Sequence, residues 1–391
     1  MRPAATTIRY LLLATAILLA SPLVLAQWDS AELEPITSGP DLDLLSRRAM
    51  DVDEQGTVHA IYQRGVGAEQ GLYYVARPRS GKWSGPETVG APGTYPGTGW
   101  IEVLAETGEA YVAFFRGETL TLGIRRAGGW EFHPLEAPAE YGVGKAAMTL
   151  DASGFAHIAM LVDYGDPTIW KIAYGYWDGS DDFHFQVLQE SIVPHYGLFA
   201  QPDIVVREDG SVAIAYHHEE KGQILIRVEE NDRLGGTAWS AEAVDVHGVI
   251  LYPESLEIDR RGDLHLAFHT NIELGAEHHV WYAHRRNSRF AYPKEVGGEF
   301  AGARPRIALG PDDEPHLVFE EMLGPRATGR LIWAREGASG EWEQQVLVDG
   351  GAFTPSFAMD SAGNGSLLFE RRIVILEDND IEYFGGVAPS R

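Results

Sequence analysis

The chain has 391 residues, with 57 Asp and Glu against 31 Lys and Arg, a formal net charge of −26 and no cysteine. This balance excludes the basic footprint that a nucleic acid or an anionic membrane surface requires. The lack of cysteine excludes disulfides and thiol nucleophiles, so the fold must rest on its core. Ten Trp, 16 Tyr and 44 Gly suit an all-β chain with many tight turns.

Residues 1–26 read as a secretory signal. Arg2 and Arg9 supply positive charge, Tyr10 to Ala20 an apolar core broken by Ser21-Pro22, and Val24-Leu25-Ala26 a cleavage site. The apolar run is short for a membrane anchor. The expectation is a protein exported to the periplasm or exterior, with no membrane insertion after cleavage and a monomeric mature chain of residues 27–391.

From there one unit recurs seven times, most clearly in Ile258-Asp-Arg-Arg-Gly-Asp-Leu-His-Leu-Ala-Phe-His-Thr270: a strand end, a tight turn, then an alternating strand. The turn positions are Gly56, Gly108, Gly154, Gly210, Gly262, Asp313 and Gly363. Period-2 segments such as Thr57-Val-His-Ala-Ile-Tyr62 and Ser211-Val-Ala-Ile-Ala-Tyr216 follow the turn. A third strand follows, as in Leu72-Tyr-Tyr-Val-Ala76, and then an outer strand marked by Trp83, Trp130, Phe183, Trp239, Phe290 and Trp342. Seven four-stranded units of about 50 residues predict a single seven-bladed β-propeller domain. The seventh unit lacks an outer strand. Trp28-Asp-Ser-Ala-Glu32 matches Trp83-Ser-Gly-Pro-Glu87, so the N-terminal segment is expected to complete the last blade and close the ring.

The Gly-x-Trp remnants Gly81-Lys-Trp83, Gly128-Gly-Trp130 and Gly340-Glu-Trp342, set in this repeat, resemble sialidase-like (BNR-type) propellers across residues 27–391. The resemblance implies the propeller fold and action on glycans. It carries over no catalytic residue: the family's full Asp-box is absent, and Ser46-Arg-Arg-Ala-Met50 stands where its Arg-Ile-Pro segment would be.

Two periodic series nominate a site. Seven positions after each turn residue stand Gln63, Phe115, Leu161, His217, His269, Glu320 and Glu370. Four adjacent blades thus offer His217, His269, Glu320 and Glu370 as candidate catalytic groups, or merely as polar strand ends facing solvent. Nine positions before the turn stand Arg47, Lys145 and Arg304, with Arg48 and Arg306 close by. These cations form a candidate clamp for a carboxylate or sulfate, unless they serve only surface ion pairs. Tyr196, Tyr252 and His218 are candidate sugar contacts, and His195-Tyr196 beside His217-His218 would suit β-elimination of a uronate. An anionic glycan is therefore the expected partner, with a glycosidase, a polysaccharide lyase or a non-catalytic glycan- or protein-binding propeller as the readings left open. His59, His157, His265 and His316 recur at one repeat position and read as architectural. No cofactor and no metal is expected; His278 to His284 follows a third-strand pattern, and Glu377 to Glu382 lacks the spacing of a calcium loop.

Overall fold

The computed structural model describes residues 33–37, 43–65, 70–90, 99–163, 170–180, 182–188, 202–220, 223–231, 238–244, 250–271, 278–286, 289–297, 300–323, 326–374 and 378–387. Within them there is no helix, and the strands form seven small antiparallel sheets, the blades of a β-propeller. Blade 2 shows the plan: inner strand Trp100–Val103, second strand Ala110–Arg116, third strand Thr119–Arg126 and outer strand Gly129–Pro134, hydrogen-bonded in that order. No helix, and no long unpaired edge, follows from a sequence written throughout in period 2.

The repeat is set by one turn. At all seven turn positions the backbone is left-handed, from φ 61° at Asp313 to φ 83° at Gly363. Glycine enters that region without the clash a Cβ would bring. In blades 1, 3, 5 and 7 an aspartate closes the turn on the N–H four residues ahead of it. Asp53, Asp151, Asp259 and Asp360 each accept, through Oδ1, the N–H of Thr57, Phe155, Asp263 and Asn364 respectively.

Adjacent blades are joined by aromatic contacts. Trp83 meets Tyr383, Trp130 meets Tyr74, Trp239 meets Tyr174 and Trp342 meets Tyr282, all edge-on with centroids 5.3–5.6 Å apart. In each pair the tryptophan of an outer strand packs on the third strand of the preceding blade, an arrangement aromatic quadrupoles favour. Three of these tyrosines also bond the repeat histidines, His59, His157 and His265, at 2.7–2.8 Å. The four histidines read as architectural are buried to 4 % exposure or less.

The ring is closed by the N-terminal segment. Glu34–Pro35 pairs antiparallel with Asp378–Val387, giving blade 7 its fourth strand. Arg77 of blade 1 binds Glu34 through two hydrogen bonds of 3.0 and 2.9 Å, as Arg125 of blade 2 binds Glu87 at 2.8 Å twice. Glu34 is thus the counterpart of Glu87, two residues later than the repeat match to Glu32 predicts; Trp28 and Glu32 lie outside the described residues. A bidentate ion pair across the seam fixes register more strongly than sequence likeness can.

Candidate functional site

The two periodic series meet at one end of the ring. Four inner strands carry a β-bulge at equivalent places, between Val143 and Lys145, Pro253 and Ser255, Ala303 and Arg306, and Phe353 and Ser356. Lys145 and Arg304 sit on two of them. Arg304 and Thr354 are left-handed, with φ 53° and 51°, rare for residues with a side chain and rarer for a β-branched one. Bulges of this kind re-aim side chains and gather beside functional sites.

What holds the strained backbone is the other series. His269 Nδ1 accepts the Arg304 N–H at 3.5 Å, Glu320 Oε1 the Thr354 N–H at 2.7 Å, and Glu370 Oε1 the Leu45 N–H at 3.1 Å. In blades 5, 6 and 7 the end of the second strand thus latches the entry of the next blade's inner strand. The second oxygens are engaged too: Arg304 Nη1 donates to Glu320 Oε2 at 2.8 Å, and Arg372 Nη2 to Glu370 Oε2 at 3.5 Å. Both carboxylates are buried, Glu320 to 1 % and Glu370 to 3 %, which rules out the reading of them as strand ends facing solvent. Burial also pushes the Glu370 carboxyl above its ordinary range.

Around this latch a compact polar group forms on blades 5 and 6. The rings of His269 and His278 lie 5.8 Å apart, and burial, with the nearby His269 and Arg304, lowers His278 to about 4. Arg304 keeps about half of its side chain exposed (51 %). His217 holds the same strand position one blade back, 4 % exposed, with half-buried His218 beside it. Arg47 lies in a turn at the start of blade 1. Arg306 is otherwise placed: it is 4 % exposed, donates to the Pro305 carbonyl at 2.8 Å, and its charge acts on Asp203. It stands with the inner wall and not with the exposed cations. Tyr196 and the Tyr252 side chain lie outside the described residues.

Between blades 2 and 3 a cleft of about 760 Å³ opens, lined by Phe115, Tyr141, Trp170, Lys145, Asp163 and Glu118 among others. Trp170 lies across Gly144, where an added Cβ would come within 2.4 Å of its ring. Aromatic faces beside carboxylates and one cation are the composition that sugar rings and their hydroxyls need. Sequence spacing nominated Lys145 but not Trp170, which belongs to neither series.

The inner wall holds a cluster the sequence reading missed. Arg48 donates to Glu102 at 2.5 Å and to Glu257, which come from blades 2 and 5. Asp51 and Asp203 complete the group, each spending one oxygen on the backbone of a neighbouring blade: Val103 N–H and Leu256 N–H, both at 2.7 Å. Four carboxyls around so little positive charge cannot all ionise cheaply. Burial pushes Glu102 up to about 8 and Glu257 up to about 7, Arg48 pulling each the other way, and it raises Asp51 and Asp203 as well. The available signal was an acidic residue five to seven positions before the turn in otherwise apolar inner strands.

No family model matches the chain, and no curated relative does. Among solved structures it is similar to an ulvan lyase of polysaccharide lyase family PL25 bound to -[GlcA(1-4)Rha3S]-. That match has TM-score 0.61 and 12 % identity and covers 89 % of this chain and 93 % of that one. It is also similar to the phage phi92 endosialidase, with TM-score 0.52 and 10 % identity over 93 % of this chain and 70 % of that one. A fungal alcohol oxidase in complex with copper matches as well, with TM-score 0.58 and 10 % identity over 94 % and 79 %. These likenesses establish the propeller fold; several of the neighbours act on glycans, and the oxidase shows that the fold alone does not assign the chemistry.

Proposed function

We propose that this protein is an exported propeller that cleaves an anionic glycan as a polysaccharide lyase, at the mouth formed by blades 4 to 6. The observation that carries the reading is the group His269, His278, Arg304 and Glu320. β-Elimination from a uronate needs a cation at the carboxylate, a base for the C5 proton and an acid at the leaving oxygen. Arg304 is the candidate for the carboxylate, and His269 and His217 are candidates for proton transfer. A glycosidase would need two carboxyls available to the sugar, one as acid and one as base or nucleophile. Glu320 and Glu370 instead accept backbone N–H groups with one oxygen and an arginine with the other, which suits positioning. The glycan-acting neighbours support the class of partner and nothing finer.

A second reading, glycan binding without cleavage, is favoured by the cleft of Tyr141, Trp170 and Lys145. The test is incubation of the chain from residue 27 with uronate-containing, sulfated and sialylated polysaccharides, following reducing ends and the ultraviolet absorbance of unsaturated uronates. The lyase reading expects both to rise together, and Arg304→Ala to lower turnover at least about 100-fold at a temperature where the variant remains folded, the scale of losing one aimed charge. Reducing ends without absorbance would replace it with a hydrolase. Binding without any product, lost in Trp170→Ala, would replace it with the binding reading.

A further inference from the structure

At the turn end of blade 5, opposite the mouth along the strands, one feature departs from the repeat. Four blades place a histidine three residues after the turn. Its Nδ1 meets Tyr74, Tyr174 or Tyr282 at 2.7–2.8 Å, or Trp333 at 3.2 Å. Its Nε2 faces a turn carboxylate at 3.2 Å from Asp53, 3.6 Å from Asp151, 3.7 Å from Asp259 and 3.5 Å from Glu314. The cross-strand partner of this histidine differs from blade to blade. It is Ala76 in blade 1, Tyr176 in blade 3 and Arg335 in blade 6, but a second imidazole, His284, in blade 5.

The rings of His265 and His284 lie 4.2 Å apart, and one ligand atom from each, with one from Asp259, fall within 4.8 Å of one another. His265 is 2 % exposed, and the Nε2 atoms of both histidines are buried without a hydrogen-bond partner. An unpaired ring nitrogen in the interior is costly unless something meets it. Asp259 divides its oxygens: Oδ1 accepts the N–H groups of Arg261 and Asp263, and Oδ2 is turned to the histidines and the Arg261 guanidinium. Asp263 Oδ2 lies 4.0 Å from His284 Nε2, at the open side of the group.

We propose that Asp259, His265 and His284 bind a divalent transition-metal cation, with zinc the ion best suited to two imidazole nitrogens and one carboxylate oxygen. Ligands at 2.0–2.2 Å from a tetrahedral ion stand about 3.4 Å apart. The two rings are stacked with 26° between their planes, so reaching that spacing requires the less buried His284 ring to turn out of the stack and aim its Nε2 lone pair at the ion. Asp263 or water takes the fourth position. Tyr282 fixes the His265 ring through Nδ1 and leaves Nε2 to ligate, the outer support that metal-binding histidines usually have. Arg261, whose side chain is 62 % exposed, is the competitor the ion must displace from Asp259. The site would tie the turn to the third strand and brace blade 5 from the end remote from the mouth.

The test is to strip the full chain with a chelator and titrate it with zinc alone, by calorimetry and by metal counting after gel filtration. The expected result is one zinc per chain and a higher melting temperature than the stripped protein. In His284→Tyr, which writes blade 3's Tyr176 into blade 5, zinc should bind at least about 30-fold more weakly while the stripped protein melts as before. Arg261→Ala leaves the Oδ1 bonds of the turn in place and should tighten zinc several-fold, a readout that stands even if His284→Tyr fails to fold. No stoichiometric zinc, wild-type affinity in His284→Tyr, or no tightening in Arg261→Ala would overturn the site.

Discussion

Replacing Glu102 by Gln tests whether the inner-wall carboxyls are held neutral. Glu102 ordinarily titrates near 4.5 and is raised to about 8 in the folded chain, mainly by burial. Between those values the folded protein keeps a proton that the unfolded chain has released. The stabilising contribution is therefore complete below about 4.5 and is lost as the pH rises through about 8. Taken at face value a displacement of that size is worth about 5 kcal/mol. Glu102 and Glu257 keep 13 % and 27 % of their side chains exposed, and water there screens the penalty. We therefore expect about 1–2 kcal/mol. Gln has the shape of the neutral carboxyl and still accepts from Arg48, so at pH 5 the variant should match the wild type. At pH 8.5 it should melt about 1–3 °C higher. The assay is thermal unfolding followed by circular dichroism at both pH values, read as variant minus wild type so that all other titrating groups cancel. A variant that melts below the wild type at pH 8.5 would refute the reasoning, because Glu102 would then be the ionised partner on which Arg48 depends.

Two further outcomes follow from the backbone. Gly154→Ala and Gly117→Ala both place a Cβ in the left-handed region, at φ 81° and 66°. Gly117 has nothing within 4 Å, whereas at Gly154 the new atom meets Leu104 and Tyr111 at 3.1 Å. Gly117→Ala should cost about 1 kcal/mol and Gly154→Ala about 2–3 kcal/mol in denaturant titration; equal costs would mean that the blade 2 to blade 3 contact carries no load. A chain beginning at Ser38 lacks the strand Glu34–Pro35 and the Glu34–Arg77 pair, and should melt at least about 5 °C lower than a chain beginning at Gln27, with broader gel-filtration peaks from the open edge. An unchanged melting temperature would show that the ring holds without this closure.

The fold was legible because each blade repeats the same local demand. A residue in the left-handed region every 46 to 56 positions, followed by alternation, marks every turn, even where Asp313 stands for glycine. Closure by the N-terminus was legible as well, but its register was not, since Glu34 is chosen by Arg77 across a seam and no local pattern carries that choice. The mouth was half legible. Counting from the turn found His269, Glu320, Glu370 and Arg304, but not that the first three hold the backbone of the next blade; that relation exists only after the strands bulge. The Arg48 cluster was hidden for a related reason. Its members are separated by 54 and 209 residues and become neighbours only when the ring closes. His284 was read as part of an ordinary strand face, and its distinction appears only when its cross-strand partner is known.

The aromatic contacts between blades bear on how the ring yields. Tryptophan meets tyrosine at the seams 7/1, 1/2, 3/4 and 5/6, whereas the outer strands of blades 3 and 5 bring Phe183 and Phe290 to the seams 2/3 and 4/5. Two cavities fall at those two seams: the cleft of about 760 Å³ between blades 2 and 3, and another of about 410 Å³ between blades 4 and 5 lined by Val228, Glu242 and Arg285. At the first of these seams the contact is instead His133 on Trp177, with centroids 4.6 Å apart, and a continuous apolar cluster still joins blades 2 and 3 beneath the cleft. The cleft therefore opens only at the rim, two seams away from the N-terminal clasp between blades 7 and 1, and filling it need not disturb the contact that closes the ring.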